Sequence, residues 1–174
     1  MIKKPWDEAR WDALRPVDFL EILQRDDGII SMAVAEQRCS VGEPIGQRTI
    51  SYEQTWHLHV EADQADLAWL ICHRLQPKVI HMEWTGSTPP LISIFLTYCA
   101  AHQDASGLGV TLRVTDYSTW HRRCAPKGGQ AQKINWRPYW LDGCQWHLRP
   151  LKDGDPPPLK TQCWVSNLSL EMLS

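Results

Sequence analysis

Between Thr49 and Tyr117 the apolar residues change their spacing four times, and the changes predict the order strand, helix, strand, helix, strand. From Thr49 to Glu61 the alternation is nearly unbroken. Ile50, Tyr52, Trp56, Leu58 and Val60 face one way, and Thr49, Ser51, Glu53, Thr55, His57, His59 and Glu61 face the other. A period of two with one polar face predicts a single long strand with one side in water. Leu67, Leu70, Ile71 and Leu75 then recur at helical spacing, with Asp63 suited to the cap and Pro77 to the stop. Val79 to Trp84 alternates again, setting Ile80, Met82 and Trp84 against Val79, His81 and Glu83. After the turn Gly86-Ser87-Thr88, Pro89 or Pro90 fits a first helical turn, and Leu91, Ile92, Phe95, Leu96 and Cys99 form a buried stripe. Gly107 and Gly109 close that helix. Val110, Leu112 and Val114 then oppose Thr111, Arg113 and Thr115 in a last strand.

Strands alternating with helices in this way pair in parallel through right-handed crossovers. A sheet buried on both faces would read as unbroken apolar runs, so the alternation places both helices on one side. The predicted fold is α/β, a two-layer sandwich with a βαβαβ core and its helices mainly on one sheet face.

The flanks read differently. Trp11 and Leu14, then Phe19, Leu20 and Leu23 after Pro16, suggest an N-terminal helical hairpin ending at Arg25-Asp26-Asp27-Gly28. Ile29 to Ala35 is short and apolar and suggests an extra strand, followed by a loop from Ser40 to Gln47. Ile134–Leu141, Gln145–Arg149 and Thr161–Ser166 suggest a Trp-rich β meander, interrupted by the polyproline-type spacer Asp153–Pro158. At 174 residues this makes one domain: a helical segment over 1–27, an α/β core over 28–117 and a basic, Trp-rich extension over 118–174.

The segment His81-Met82-Glu83-Trp84-Thr85-Gly86-Ser87-Thr88 leads from a strand through a serine-bearing turn into a helix. In this respect the element order resembles that of the sulfate-transporter and anti-sigma-antagonist domain. The turn is shorter than in that domain, and the aspartate usual before the serine is absent. The similarity is therefore one of element order alone.

Composition adds limits. No stretch reaches the roughly 18 apolar residues of a membrane helix, and the charged N-terminus MIKKPWDEARWD does not read as a signal peptide. A soluble, cytoplasmic protein with no membrane partner is expected. The six cysteines are widely spaced, and Cys72 and Cys99 fall in apolar helical patterns, which does not read as a disulfide scaffold. Charge is uneven: Gly109 to Arg149 holds seven basic residues against Asp116 and Asp142, a local +5 in a chain whose net charge is −2. Such a segment can steer a charged partner.

Three constellations could carry chemistry. His121-x2-Cys124 and Cys144-x2-His147 lie 19 residues apart, a spacing at which two knuckles could close a tetrahedral structural zinc site. Trp120, Arg122, Arg123, Lys127, Lys133, Trp136, Arg137, Tyr139 and Trp140 combine cations for phosphates with rings for unpaired bases or a protein partner, unless the rings simply fill a core. His57, His59, Glu61, His81 and Glu83 would share the polar sheet face and mix imidazoles with carboxylates, as a metal-dependent hydrolase or nuclease requires. Ser87 and Thr88 are explained by capping, although a helix start also favours anions. No Walker motif, dinucleotide fingerprint, nucleophile elbow or His-Glu-x-x-His occurs. The balance favours a noncatalytic binding module, a subunit of a protein or nucleoprotein assembly that contacts its partner or single-stranded nucleic acid through Trp120–Trp140.

Overall fold

A computed structural model of the chain describes residues 10–23, 28–115, 119–120, 122, 137–141, 148–150 and 163–167, with 137–141, 148–150 and 163–165 described as backbone. The described strands are β1 (Phe19–Ile22), β2 (Arg48–Ser51), β3 (Gln54–His57), β4 (Val79–Trp84), β5 (Gly109–Val114), β6 (Arg137–Leu141), β7 (Leu148–Pro150) and β8 (Cys163–Ser166). The helices are α1 (Ile29–Glu36), α2 (Glu61–Leu70, continued by a π turn over Ile71–Leu75) and α3 (Pro90–Ala105). The fold is α/β. β1, β4 and β5 form a parallel sheet, antiparallel β8, β6 and β7 continue it in that order, and β2 and β3 form a separate hairpin. The chain divides into two compact units, Met1–Ile80 and His81–Ser174.

In the first unit the expected helical hairpin is not formed. The segment that carries its second apolar stripe is β1, and all four of its residues are buried. Main-chain pairing explains this. Phe19 and Ile22 bridge in parallel to Val41 and Ile45, with Gly42 N–H donating to Phe19 O (2.8 Å) and Ile45 N–H to Glu21 O (3.0 Å). A short strand bonded in this way has no need of a helical period.

Ile29 to Ala35, expected as a strand, is helix α1. Its N-cap is Gly28 at φ 80°, which supplies no capping side chain. The cap comes from another element: the Glu21 carboxylate on β1 accepts both Ser31 N–H (3.1 Å) and Ser31 Oγ–H (2.7 Å). A carboxylate at a helix N-terminus satisfies an orphan donor and matches the helix dipole.

The long strand expected over Thr49–Glu61 is a hairpin. Ser51 pairs with Gln54, and the two turn residues, Tyr52 (φ 52°) and Glu53 (φ 59°), both lie in the left-handed region. Such a turn usually uses Asn or Gly. Here side chains from outside the turn hold it. Trp56 Nε1 donates to Ser51 O and Trp11 Nε1 to Tyr52 O, each at 2.9 Å. Tyr52 and Glu43 are also tied twice, through Glu43 N–H to Tyr52 Oη (2.6 Å) and Tyr52 N–H to Glu43 Oε2 (3.1 Å). Burial pushes the Tyr52 phenol above its usual range.

Helix α2 keeps its predicted stripe, with Leu67, Leu70, Ile71 and Leu75 all buried. Asp63 does not cap it. The N-cap is Val60, and the Asp63 carboxylate reaches back to His57 N–H (2.7 Å). The core of this unit centres on Trp11 and Trp56, both at most 1% exposed and stacked 6.1 Å apart. Trp69 stacks on the former at 5.9 Å, and Arg74 lies over Trp69 while pairing with Asp12 at 3.0 Å.

The second unit follows the sequence pattern more closely. β4 has the expected bounds and β5 begins and ends one residue earlier than expected, at Gly109 and Val114, and Met82, Trp84, Val110, Leu112 and Val114 are buried. Pro90 opens α3, whose inward face is Ile92, Phe95, Leu96, Cys99, Ala100 and Gln103. Trp84 Nε1 donates to Ser93 Oγ (2.9 Å), joining strand to helix. The predicted meander is not formed. Its three segments are strands, but β8 pairs with both β5 and β6, so β6 lies between β7 and β8. Asn167 explains this placement. Its Oδ1 accepts Val110 N–H (2.8 Å) and its Nδ2 donates to Leu108 O (2.9 Å) and Asp104 Oδ1 (3.1 Å), anchoring the end of β8 beside the start of β5.

The predicted βαβαβ core is therefore rebuilt. β1 takes the place assigned to Thr49–Glu61, and α1, the β2–β3 hairpin and α2 all lie within the connection from β1 to β4.

Candidate functional site

The residues expected on one polar sheet face do not share a sheet. His57 ends β3 in the hairpin and is half-buried, while His59 lies in the following turn and is exposed. Their rings meet edge to face, 5.8 Å apart. Glu61 begins α2. His81 and Glu83 are both on β4, in the parallel sheet.

On β4 and β5 the polar positions make a compact set. Alternation puts His81 and Glu83 on one face of β4, and Thr111 and Arg113 share a face of β5. His81 Nδ1 and Thr111 Oγ1 share a hydrogen bond of 2.7 Å. The imidazole is 2% exposed, and its pKa is pushed down to about 4, first by burial and then by the positive charge of Arg113. At neutral pH it is an uncharged ring inside the fold. A general base is most effective with a pKa near the working pH and within reach of substrate, and this imidazole is displaced from both conditions. Its chemistry suits a buried polar tie between neighbouring strands.

Among the described residues, no group of three or more His, Cys, Asp or Glu side chains is placed to hold a metal ion. The zinc quartet His121, Cys124, Cys144 and His147 lies outside the described residues, as do Arg123, Lys127, Lys133 and Trp136. Of the basic and aromatic set, Trp120 is buried at 4% exposure and Arg122 is exposed. A Trp120 buried to this degree presents little ring to a base. Arg137, Tyr139 and Trp140 lie on β6, where Tyr139 is opposite Pro150 on β7 and Trp164 on β8. The Gly86-Ser87-Thr88 turn is closed by its own side chains: Thr88 Oγ1 accepts Thr85 N–H, and Thr85 and Ser87 hydroxyls are bonded, both at 2.9 Å.

Sequence reasoning did not find the exposed apolar residues. Leu91, assigned to the buried stripe of α3, is 46% exposed, and Ile94 and Tyr98 on the same side are 67% and 51% exposed. Ile29 and Met32 on α1 and Ile50 on the hairpin are also exposed. The signal was present in α3, where Leu91, Ile94, Tyr98, Ala101 and Ala105 form a second apolar row at spacings of three and four. A helix apolar on both faces has two surfaces to cover.

The chain matches no known protein-family profile, no curated protein and no solved structure. Among the described residues, no helix is long and apolar enough to cross a membrane.

Proposed function

We propose that the chain is a noncatalytic binding module, a cytoplasmic subunit of a protein or nucleoprotein assembly that contacts its partner through the Trp120–Trp140 stretch. The observation that carries the reading is the concentration of positive charge over Gly109–Arg149, seven basic residues against two acidic ones, with Arg122 exposed within it. The exposed Arg122 and its basic neighbours add an electrostatic component suited to an acidic protein or to nucleic acid. The hydrolase reading has less support, because its residues do not share a sheet and its most buried imidazole is held neutral.

The test is a pull-down from native extract, scored for protein and for nucleic acid, with the chain and with an Arg122→Ala, Arg123→Ala variant. A specific partner lost in the variant supports the reading. No partner for the unaltered chain in either fraction overturns it. For nucleic acid, binding should fall steeply with salt, and no detectable binding at low salt removes that version. Metal content of untagged protein decides whether His121, Cys124, Cys144 and His147 hold zinc.

A further inference from the structure

We propose that the free edge of β2 is a docking site for an extended segment of a protein partner, which adds antiparallel to the β2–β3 hairpin as a third strand. The site lies in the first unit and is independent of the Trp120–Trp140 reading.

The register of the hairpin decides which main-chain groups are occupied within it. Arg48 is opposite His57 and Ile50 is opposite Thr55, and Leu58 N–H donates to Gln47 O at 3.1 Å. In an antiparallel ladder, hydrogen-bonded pairs alternate with pairs whose N–H and C=O groups point away from each other. Gln47, Thr49 and Ser51 therefore bond to the second strand, and Arg48 and Ile50 turn their groups outward. Thr55 and His57 do the same on the far side of β3, where the Asp63 carboxylate accepts His57 N–H at 2.7 Å. The β2 side has no such cover. Among the described residues, none pairs with the main-chain N–H or C=O of Arg48 or Ile50. Two donors and two acceptors thus stand in line along this edge. A helix bonds its backbone groups internally and cannot meet them, whereas an extended chain presents donors and acceptors at the matching spacing.

Side chains specify what that strand carries. Arg48 and Ile50 share a hairpin face with Thr55, and all three are exposed. Ile50, at 77%, is the most exposed large apolar side chain among the described residues. An antiparallel partner sets one residue opposite Ile50 and the residue two places later opposite Arg48, both on this face. Ile50 favours a β-branched or aromatic residue there, and the guanidinium favours a carboxylate. The fitting segment therefore reads apolar-x-acidic and makes four main-chain bonds to β2. Bonds of this number support a Kd on the order of 1 mM for a short peptide.

The probe is the capped peptide acetyl-Thr-Thr-Ile-Thr-Asp-Thr-amide, titrated to about 5 mM into nitrogen-15-labelled full chain. Binding should shift the Arg48 and Ile50 amide resonances and slow their exchange with solvent. The same peptide N-methylated at its isoleucine keeps every side chain and loses the N–H that meets Ile50 O, so it should bind at least about tenfold more weakly. Ile50→Pro removes the outward N–H and leaves the ladder to β3 intact, since an edge position tolerates proline. It should keep the far-UV circular dichroism and lose about tenfold or more in peptide affinity. Arg48→Glu should reverse the preference, from this peptide to one with lysine in place of aspartate.

No peptide binding up to about 5 mM, equal binding of the methylated peptide, or resonance shifts centred away from β2 overturns the proposal. So does protection of the Arg48 and Ile50 amides without peptide in a chain whose mass doubles with concentration, which would make a second copy the occupant of the edge. All of these readouts lie on β2, so a failed search for a partner of Trp120–Trp140 leaves them unaffected.

Discussion

Acidification should unfold this protein earlier than its carboxylates alone would require, and His81 is the reason. The ring is 2% exposed, bonded to Thr111, and carries a pKa of about 4 against the ordinary imidazole value of 6.5. The unfolded chain takes up the proton as pH falls below 6.5, and the folded chain does not until about 4. Folding stability therefore declines as pH falls through that window, by up to roughly 3 kcal/mol at its foot. By pH 5 the loss from this one residue is about 2 kcal/mol. Urea unfolding from pH 7.5 to pH 5 should show it when the unaltered chain is compared with His81→Gln, which has no group titrating there. The variant starts less stable and loses about 2 kcal/mol less across the range. Proton NMR of the His81 ring supplies a check that does not depend on the variant, since the resonance should stay in its neutral position down to about pH 5. Equal losses for both proteins, or a ring midpoint near 6.5, would refute the account.

Three further expectations concern the first unit. Trp11→Ala removes a buried ring stacked on Trp56 and Trp69 and strips Tyr52 O of its donor, so it should cost about 3–5 kcal/mol in urea unfolding. A Cβ on Gly42 would sit 2.6 Å from Tyr52 Oη and 2.9 Å from Leu20 Cδ1, so Gly42→Ala should destabilise by about 1–3 kcal/mol, and a neutral outcome would mean these neighbours give way freely. Ser31→Ala leaves the Glu21 carboxylate with one of its two donors, and should cost about 1–2 kcal/mol with faster amide exchange confined first to α1.

Elements whose burial is one-sided and whose ends are marked locally were legible in the pattern of residues alone. β4, α3 and β5 lie where alternation, Pro90 and Gly107 put them, and α2 ends where Pro77 requires. Each of these segments carries its own period, so the pattern of apolar residues is already the pattern of contacts. The candidate site was legible to the same extent: alternation placed His81 and Glu83 on one side of β4, but nothing local showed that His81 is buried or that His57 belongs to another sheet. The outward row of α3 was written in the sequence and concealed by the stronger inward one.

Tertiary structure decided the rest, wherever a backbone group is satisfied by a residue far away in the chain. The hairpin turn at Tyr52 and Glu53 lacks the residues such turns prefer, and it persists because the indoles of Trp56 and Trp11 take up its carbonyls. Ile29–Glu36 could be strand or helix by composition, and the Glu21 carboxylate selects the helix by capping it from β1. Phe19–Ile22 is a strand because Val41–Ile45 pairs with it, and β8 enters the sheet beside β5 because Asn167 binds the turn after α3. Periodicity reports which face of a segment is dry. It carries no record of which distant donor or acceptor completes the backbone, and at these four places that partner chose the structure.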